Sequence, residues 1–161
     1  KVQIREEAQK FFMLLDHEKT VKIKQGIKLH AVLEKLVSPD TLDLVMDRLQ
    51  SEGVIQASDR ESLVTRVSTL LANPQFKSWF DPSWEVLTER EIVSEGKLFK
   101  PDRVVSNKEA TLVIDYKKEQ RDPKHKKQVL RYAGHLEAMG YTNVQSFLVY
   151  VDNLELVEVH G

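Results

Sequence analysis

The sequence predicts an α/β fold in which a mixed β-sheet is flanked by helices and preceded by a helical part. Three observations predict it. From Ile4 to about Phe80, apolar residues recur three and four apart, the spacing of one helix face. At Trp84 the period becomes extended, and three short strand-like segments follow in succession. A helical segment, an apolar run and a final short strand come next, and a crossover helix in that position lets the sheet mix parallel and antiparallel neighbours.

Taken in order, Ile4, Ala8, Phe11, Phe12 and Leu15 give a first helix, Ile4–Leu15, whose apolar face is expected in the core. A second helix is expected over Val21–Leu36, with Ile23, Ile27, His30, Ala31 and Leu33 or Glu34 near one side. Glycine costs about 1 kcal/mol relative to alanine inside a helix, so Gly26 points to close approach of another backbone. Ser38-Pro39-Asp40 then ends this helix and starts the next, with Ser38 as N-cap and Pro39 at the first helical position. Leu42, Val45, Met46 and Leu49 form its stripe, and Gly53 suits its end. Ser58-Asp59-Arg60-Glu61 reads as a capping box before Leu63, Val67, Leu70 and Leu71. Asn73-Pro74 stops that helix and opens a short one bearing Phe76, Trp79 and Phe80. No chemistry is evident in this stretch, which is expected to hold the His30 helix against the sheet. Trp79 and Trp84 read as core anchors.

The strands are expected at Glu85–Val93, Lys100–Val105 and Ala110–Lys117, consecutive and antiparallel. A polar loop, Lys118–Pro123, leads to a helix over Lys124–Met139 that Gly140 closes. Val144–Val151 and Leu154–Val159 complete the sheet. Side chains alternate along a strand, so Asp115 and Lys117 project from one face, and hairpin pairing brings Asp102 beside them. Two carboxylates and an ammonium in one pocket suit a divalent cation and the activation of a water. On the following helix Gln128 and Tyr132, four apart, point the same way.

Composition narrows the chemistry. The 161 residues make about one domain, and 41 % hydrophobic with 30 % charged residues suits a globular chain rather than a disordered one. No run approaches the ~18 apolar residues of a membrane helix and no signal peptide opens the chain, so the protein reads as cytoplasmic, with no membrane partner. Lys1 in place of methionine reads as the start of a piece of a longer polypeptide. There is no cysteine, which excludes disulfides, thiolate zinc sites and iron–sulfur clusters. A metal would therefore need oxygen and imidazole ligands, which favours magnesium or manganese. The net charge is −1, yet Lys97–Tyr132 holds eleven Lys or Arg against five Asp or Glu, a local +6. Such a patch suits phosphate contacts.

Pro101-Asp102, followed after a turn by Asp115-Tyr116-Lys117, resembles the PD-(D/E)xK signature of the restriction-endonuclease-like nuclease superfamily. Gly26-Ile27-Lys28-Leu29-His30 resembles the G-x-x-x-H helix of the RecB-type and AddA-type nuclease domains of DNA-repair helicases. Glu89 stands where that family places a glutamate, with Glu91 as a rival, and Gln128 and Tyr132 match its Q-x-x-x-Y helix. The resemblance runs from about Gly26 to Tyr150. It implies a restriction-endonuclease-like core of order α-β-β-β-α-β within a single domain, residues 1–161. Its helical part, 1–80, carries His30, its catalytic core spans 81–161, and the whole belongs to a larger helicase–nuclease.

The activity implied is metal-dependent DNA hydrolysis, as an exonuclease in repair and recombination, with DNA and a helicase module as partners. By the same resemblance, Asp102, Asp115, the Tyr116 carbonyl and His30 hold Mg2+ or Mn2+. Lys117 orients and deprotonates the water or stabilises the developing charge, Gln128 and Tyr132 flank it, and Glu89 supports the site. Lys118, Arg121, Lys124, Lys127 and Arg131 are the expected DNA contacts. Two alternatives stand beside this: a stand-alone exo- or endonuclease of the same fold, and a non-catalytic DNA-binding domain. Intact Asp102, Asp115 and Lys117 weigh against the second. His17, His125, His135 and His160 show no partner pattern.

Overall fold

The computed structural model describes residues 2–87, 93–94 and 97–161. One continuous helix, α1 (Val2–Lys35), replaces the two helices expected at the start. The Asp16–Thr20 spacer is polar but contains neither glycine nor proline, and Thr20 Oγ1 donates back to the Asp16 carbonyl at 2.8 Å, so nothing interrupts the helix.

The first half of α1 does not pack in the core as expected. Ile4 is 72 % exposed and Phe12 63 %, and Phe11, Met13, Leu14 and Leu15 are exposed with them. Gly26 is the first buried position on α1 among those described, which leaves about 36 Å of helix ahead of it at 1.5 Å per residue. Burial then falls on Leu29, Val32, Leu33 and Leu36, while Ile23 and Ile27 stay exposed. An apolar stripe marks a face that wants cover but does not supply the cover. Removing residues 1–18 is therefore expected to leave the thermal midpoint within about 3 °C of the full chain, measured by circular dichroism. A fall beyond about 10 °C would mean that this half of α1 packs on the body after all.

Gly26 has a neighbour, though not the expected backbone. A Cβ placed there would meet the Asp152 carboxylate at 2.7 Å, so a side chain, not a main chain, closes on the helix.

The remaining helices follow their local signals with two exceptions. Ser38 precedes a short 3-10 turn, Pro39–Thr41, but its hydroxyl turns to the Asp40 carboxylate instead of capping the helix, and α2 (Leu42–Ser51) buries Met46 and Leu49. Gly53, at φ +77, allows the chain to turn back after α2, a conformation that costs glycine little. The capping box ahead of α3 (Arg60–Leu71) is set by Gln56 and Asp59, not by Ser58 and Glu61. The Asp59 carboxylate accepts the Gln56 amide at 2.7 Å and also pairs with Lys28 on α1 at 2.9 Å, a long-range partner that favours this register. Asn73 caps α4 (Pro74–Ser78) by accepting from the amides of Gln75 and Phe76.

The sheet contains β1 (Glu85–Val86), β4 (Arg103–Ser106), β5 (Thr111–Lys117), β6 (Val144–Tyr150) and β7 (Glu155–Val159), in the order β1-β4-β5-β6-β7. The central pair β5 and β6 is parallel, linked by helix α5 (Pro123–Ala138), and the other neighbours are antiparallel. The mixed α/β sheet with an N-terminal helical part is thus as expected.

The single strand expected over Glu85–Val93 is not. β4 offers four residues, so β1 pairs over two and ends with the Leu87 amide on the Val104 carbonyl. A separate two-stranded sheet pairs β2 (Val93–Ser94) with β3 (Lys97–Leu98). Glu89 and its rival Glu91 lie outside the described residues.

Alternation along the strands divides the core in two. Val105, Leu112, Ile114, Tyr116, Phe147 and Val149 face the helical part, where Trp79 meets Phe147 at 5.0 Å. Val104, Val113 and Leu148 face α5, against Val129, Ala133 and Leu136. Helices therefore cover both faces of the sheet, and the ends of β4 and β5 lie between the two layers.

Candidate functional site

Asp102 immediately precedes β4, and the pairing of Arg103 with Ile114 puts it across from Asp115. The Asp102 amide lies 3.3 Å from Asp115 Oδ1, and Asp102 Oδ2 accepts the Tyr116 amide at 2.8 Å, so each aspartate grips the other's strand. Lys117, two residues beyond Asp115 and on the same face, sets its ammonium 2.8 Å from Asp115 Oδ2. The same ammonium donates to Gln128 Oε1 at 2.5 Å, and Gln128 Nε2 donates to Tyr132 Oη at 3.0 Å. Tyr132 lies against Phe99, ring centroids 5.7 Å apart, and Phe99 stacks in turn on His135. Five of the expected residues therefore form one polar line from β4 to α5.

His30 enters from the opposite layer. It stands one turn after Gly26 on α1, with Nε2 3.3 Å from Asp102 Oδ2 and its ring edge-on to Tyr116. Tyr116 joins the two layers: its amide serves Asp102, while its ring is buried on the helical side.

The charges are strongly coupled. Burial, then the neighbouring Asp102 carboxylate, pushes Asp115 up to about 6. Burial would raise Asp102 as well, but its hydrogen bonds to His30 and Asp115 hold it below the usual carboxylate value. The Asp102 contact lifts His30 against the opposing effect of its burial. Burial pulls Lys117 down, yet the Asp115 carboxylate more than compensates and keeps it protonated at neutral pH.

Two carboxylates and an imidazole are a donor set suited to a hard divalent cation. A cation between the aspartates would also relieve the repulsion that raises Asp115. As they stand, these groups are closed on protein partners, and among the described residues no group of three or more His, Asp or Glu side chains is disposed to hold a metal ion.

The site opens on two depressions. One, of about 370 Å³, is lined by Glu34, Lys35, Leu87, Pro101 and Asp102 among others. The second, of about 490 Å³, lies beside α5 and is lined by Lys117, Glu119, Lys124, His125, Lys127, Gln128 and Arg131. The expected DNA contacts thus divide. Lys124, Lys127 and Arg131 share a depression with Lys117, whereas Arg121 pairs with Glu155, stands over the Tyr150 ring at 5.6 Å and lines a different hollow. Lys118 lies against α1 at Gly26.

Several residues were not singled out by sequence. Arg103 is 7 % exposed and sends its guanidinium the opposite way from Asp102. It donates to the carbonyls of Leu36, Val37 and Trp79 at 3.1–3.3 Å and lies 4.2 Å over the Phe80 ring. A charged residue at an inward strand position was its signal. His125 is buried and hydrogen-bonds Tyr150 Oη at 3.1 Å; burial, then the Lys117 charge, lowers its pKa. Nothing local marked that pairing.

No known protein-family model matches the chain, and no curated protein sequence matches it.

Proposed function

We propose that this chain is a metal-dependent DNA nuclease of the PD-(D/E)xK superfamily, similar to the nuclease modules of RecB-type and AddA-type helicase–nucleases. The observation that carries this reading is the continuous line Asp102, Asp115, Lys117, Gln128 and Tyr132, in which the Asp102 amide meets the Asp115 carboxylate and each later side chain touches the next. A hairpin with incidental surface charges would not bury Asp115 to 5 % exposure and bind it to a lysine. The order of helix, antiparallel strands, crossover helix and parallel strand also supports a restriction-endonuclease-like core.

Asp102 and Asp115 are the anionic ligands proposed for Mg2+ or Mn2+, with the Tyr116 carbonyl and His30 completing the set. When bound, such an ion supplies a polarised water and neutralises charge on a phosphate. The protein's own part is to position. Asp102 and Asp115 are held by main-chain amides, Lys117 brings a cation to the reacting phosphate, and Gln128 steers that cation from α5. Lys124, Lys127 and Arg131 line the path proposed for the strand. A helicase module is the proposed source of that strand, in DNA repair inside the cell.

The test is degradation of end-labelled single- and double-stranded DNA with Mg2+ or Mn2+. Cleavage that EDTA abolishes is expected, and a folded chain that neither binds the ions nor cuts would overturn the reading. Ion binding should also be visible without activity. At a hundred times the dissociation constant, a site present in the folded state alone adds about 2.7 kcal/mol, a rise of roughly 5–10 °C in the thermal midpoint for a domain of this size. Asp102→Asn should lose most of that rise.

The basic depression makes a separate prediction. Each single-strand phosphate contact contributes about 0.7 to the slope of log affinity against log salt. Lys127→Ala combined with Arg131→Ala should therefore flatten the slope by about 1.4, read by fluorescence anisotropy with a labelled oligonucleotide in EDTA. Arg121→Ala, whose guanidinium is already paired with Glu155, should change it far less. An unchanged slope in the double variant would remove this depression from the strand path.

A further inference from the structure

We propose that Glu34 is a positioning residue that aims the His30 imidazole at Asp102 and at a cation held there. The inference rests on the cation-site reading above. Glu34 follows His30 by one helical turn, so the two side chains share a face of α1. Its Oε2 is 3.7 Å from His30 Nδ1, while Nε2 of the same ring is 3.3 Å from Asp102 Oδ2. The imidazole is thus strung between two carboxylates, one on each nitrogen.

That arrangement matters because the two nitrogens of a neutral imidazole have opposite roles. One can offer its lone pair to a cation while the other carries the proton, and an acceptor beside the second fixes which is which. Tyr116 meets the ring edge-on at 6.4 Å and 87°, which limits how it can turn without choosing between its two flipped orientations. When a cation stands between the ring and Asp102, Glu34 makes that choice, holding the proton on Nδ1 and leaving Nε2 bare toward the ion. Its side chain is 55 % exposed and lines the same 370 Å³ cleft as Asp102, so it is free to shorten the Nδ1 contact when a cation arrives.

Nitrogen NMR of the full chain with labelled histidine tests this, alongside calorimetric titration with Mg2+ and Mn2+. In the wild type with Mg2+, His30 should be protonated on Nδ1 and bare on Nε2. Glu34→Leu should lose that preference and bind Mn2+ about tenfold more weakly, the usual scale for losing a residue that orients a ligand. Glu34→Gln keeps an acceptor and should recover most of both. With His30→Ala in place, Glu34→Leu should cost nothing further. An unchanged tautomer and affinity in Glu34→Leu, or a loss of affinity that persists undiminished without His30, overturns the proposal alone. A wild-type chain that binds neither ion overturns the nuclease reading and this inference with it.

Discussion

If the chain is the nuclease proposed, Lys117→Ala is expected to lower the rate of metal-dependent DNA cleavage by about a thousandfold, within the range measured for loss of a positioned acid–base or charge-stabilising group. The ammonium touches Asp115 at 2.8 Å and Gln128 at 2.5 Å, so one substitution removes the cation from the proposed phosphate site and frees both neighbours. The fold should survive, because Lys117 ends β5 and its neighbours on the sheet, Tyr116 and Tyr150, stay packed. Lys117→Arg should restore little. A planar guanidinium cannot present the compact charge of an ammonium to a carboxylate and an amide at once. Single-turnover cleavage, with circular dichroism to confirm folding, checks the result. A variant within tenfold of the wild type would remove this lysine from the chemistry.

Arg103→Met should cost about 4 kcal/mol of stability, or roughly 8–16 °C in the midpoint, the largest loss expected of any single change outside the apolar core. The guanidinium serves the carbonyls of Leu36, Val37 and Trp79, which end α1 and α4. Each buried acceptor left unpaired costs about 1–3 kcal/mol, and methionine offers no donor. The contact with Phe80 at 4.2 Å is lost with them. Burial already lowers the Arg103 pKa, so the wild type retains this charge at a cost that the three carbonyls offset. Urea unfolding measures the effect, and a loss under 1 kcal/mol would show that the helical layer does not hang on this residue. Because Arg103 and Asp102 point to opposite faces, cleavage by the fraction still folded should stay near the wild-type rate.

These two expectations show how unevenly the site was written into the chain. Asp115 and Lys117 share a face because strand side chains alternate, and Asp102 joins them because a short polar turn pairs the two strands. Gln128 and Tyr132 align because four residues make about one helical turn. All three are neighbour rules, readable without coordinates. His30 was placed by its motif, while its partner Asp102 lies 72 positions away and is reached from the other layer of the fold. Arg103 binds a carbonyl 67 positions away, and Arg121, expected on DNA, instead meets Glu155 34 positions on. In the same way the stripe Ile4 to Leu15 foretold an apolar helix face, while its exposure depended on whether other parts of the chain reached it.

The sequence by itself determined most of the elements, the Asn73 cap and the chemical side chains before β4, at the end of β5 and along α5. Each of these depends on neighbours within about one turn or one strand pair, which is the range of the backbone's own hydrogen bonds. Tertiary structure decided that the first half of α1 stays exposed. It also set the polar line from Asp102 to Tyr132 and sent Arg103 and Arg121 to structural partners. Those outcomes turn on which faces and charges meet after the layers pack, and residues tens of positions apart leave no local period to record it.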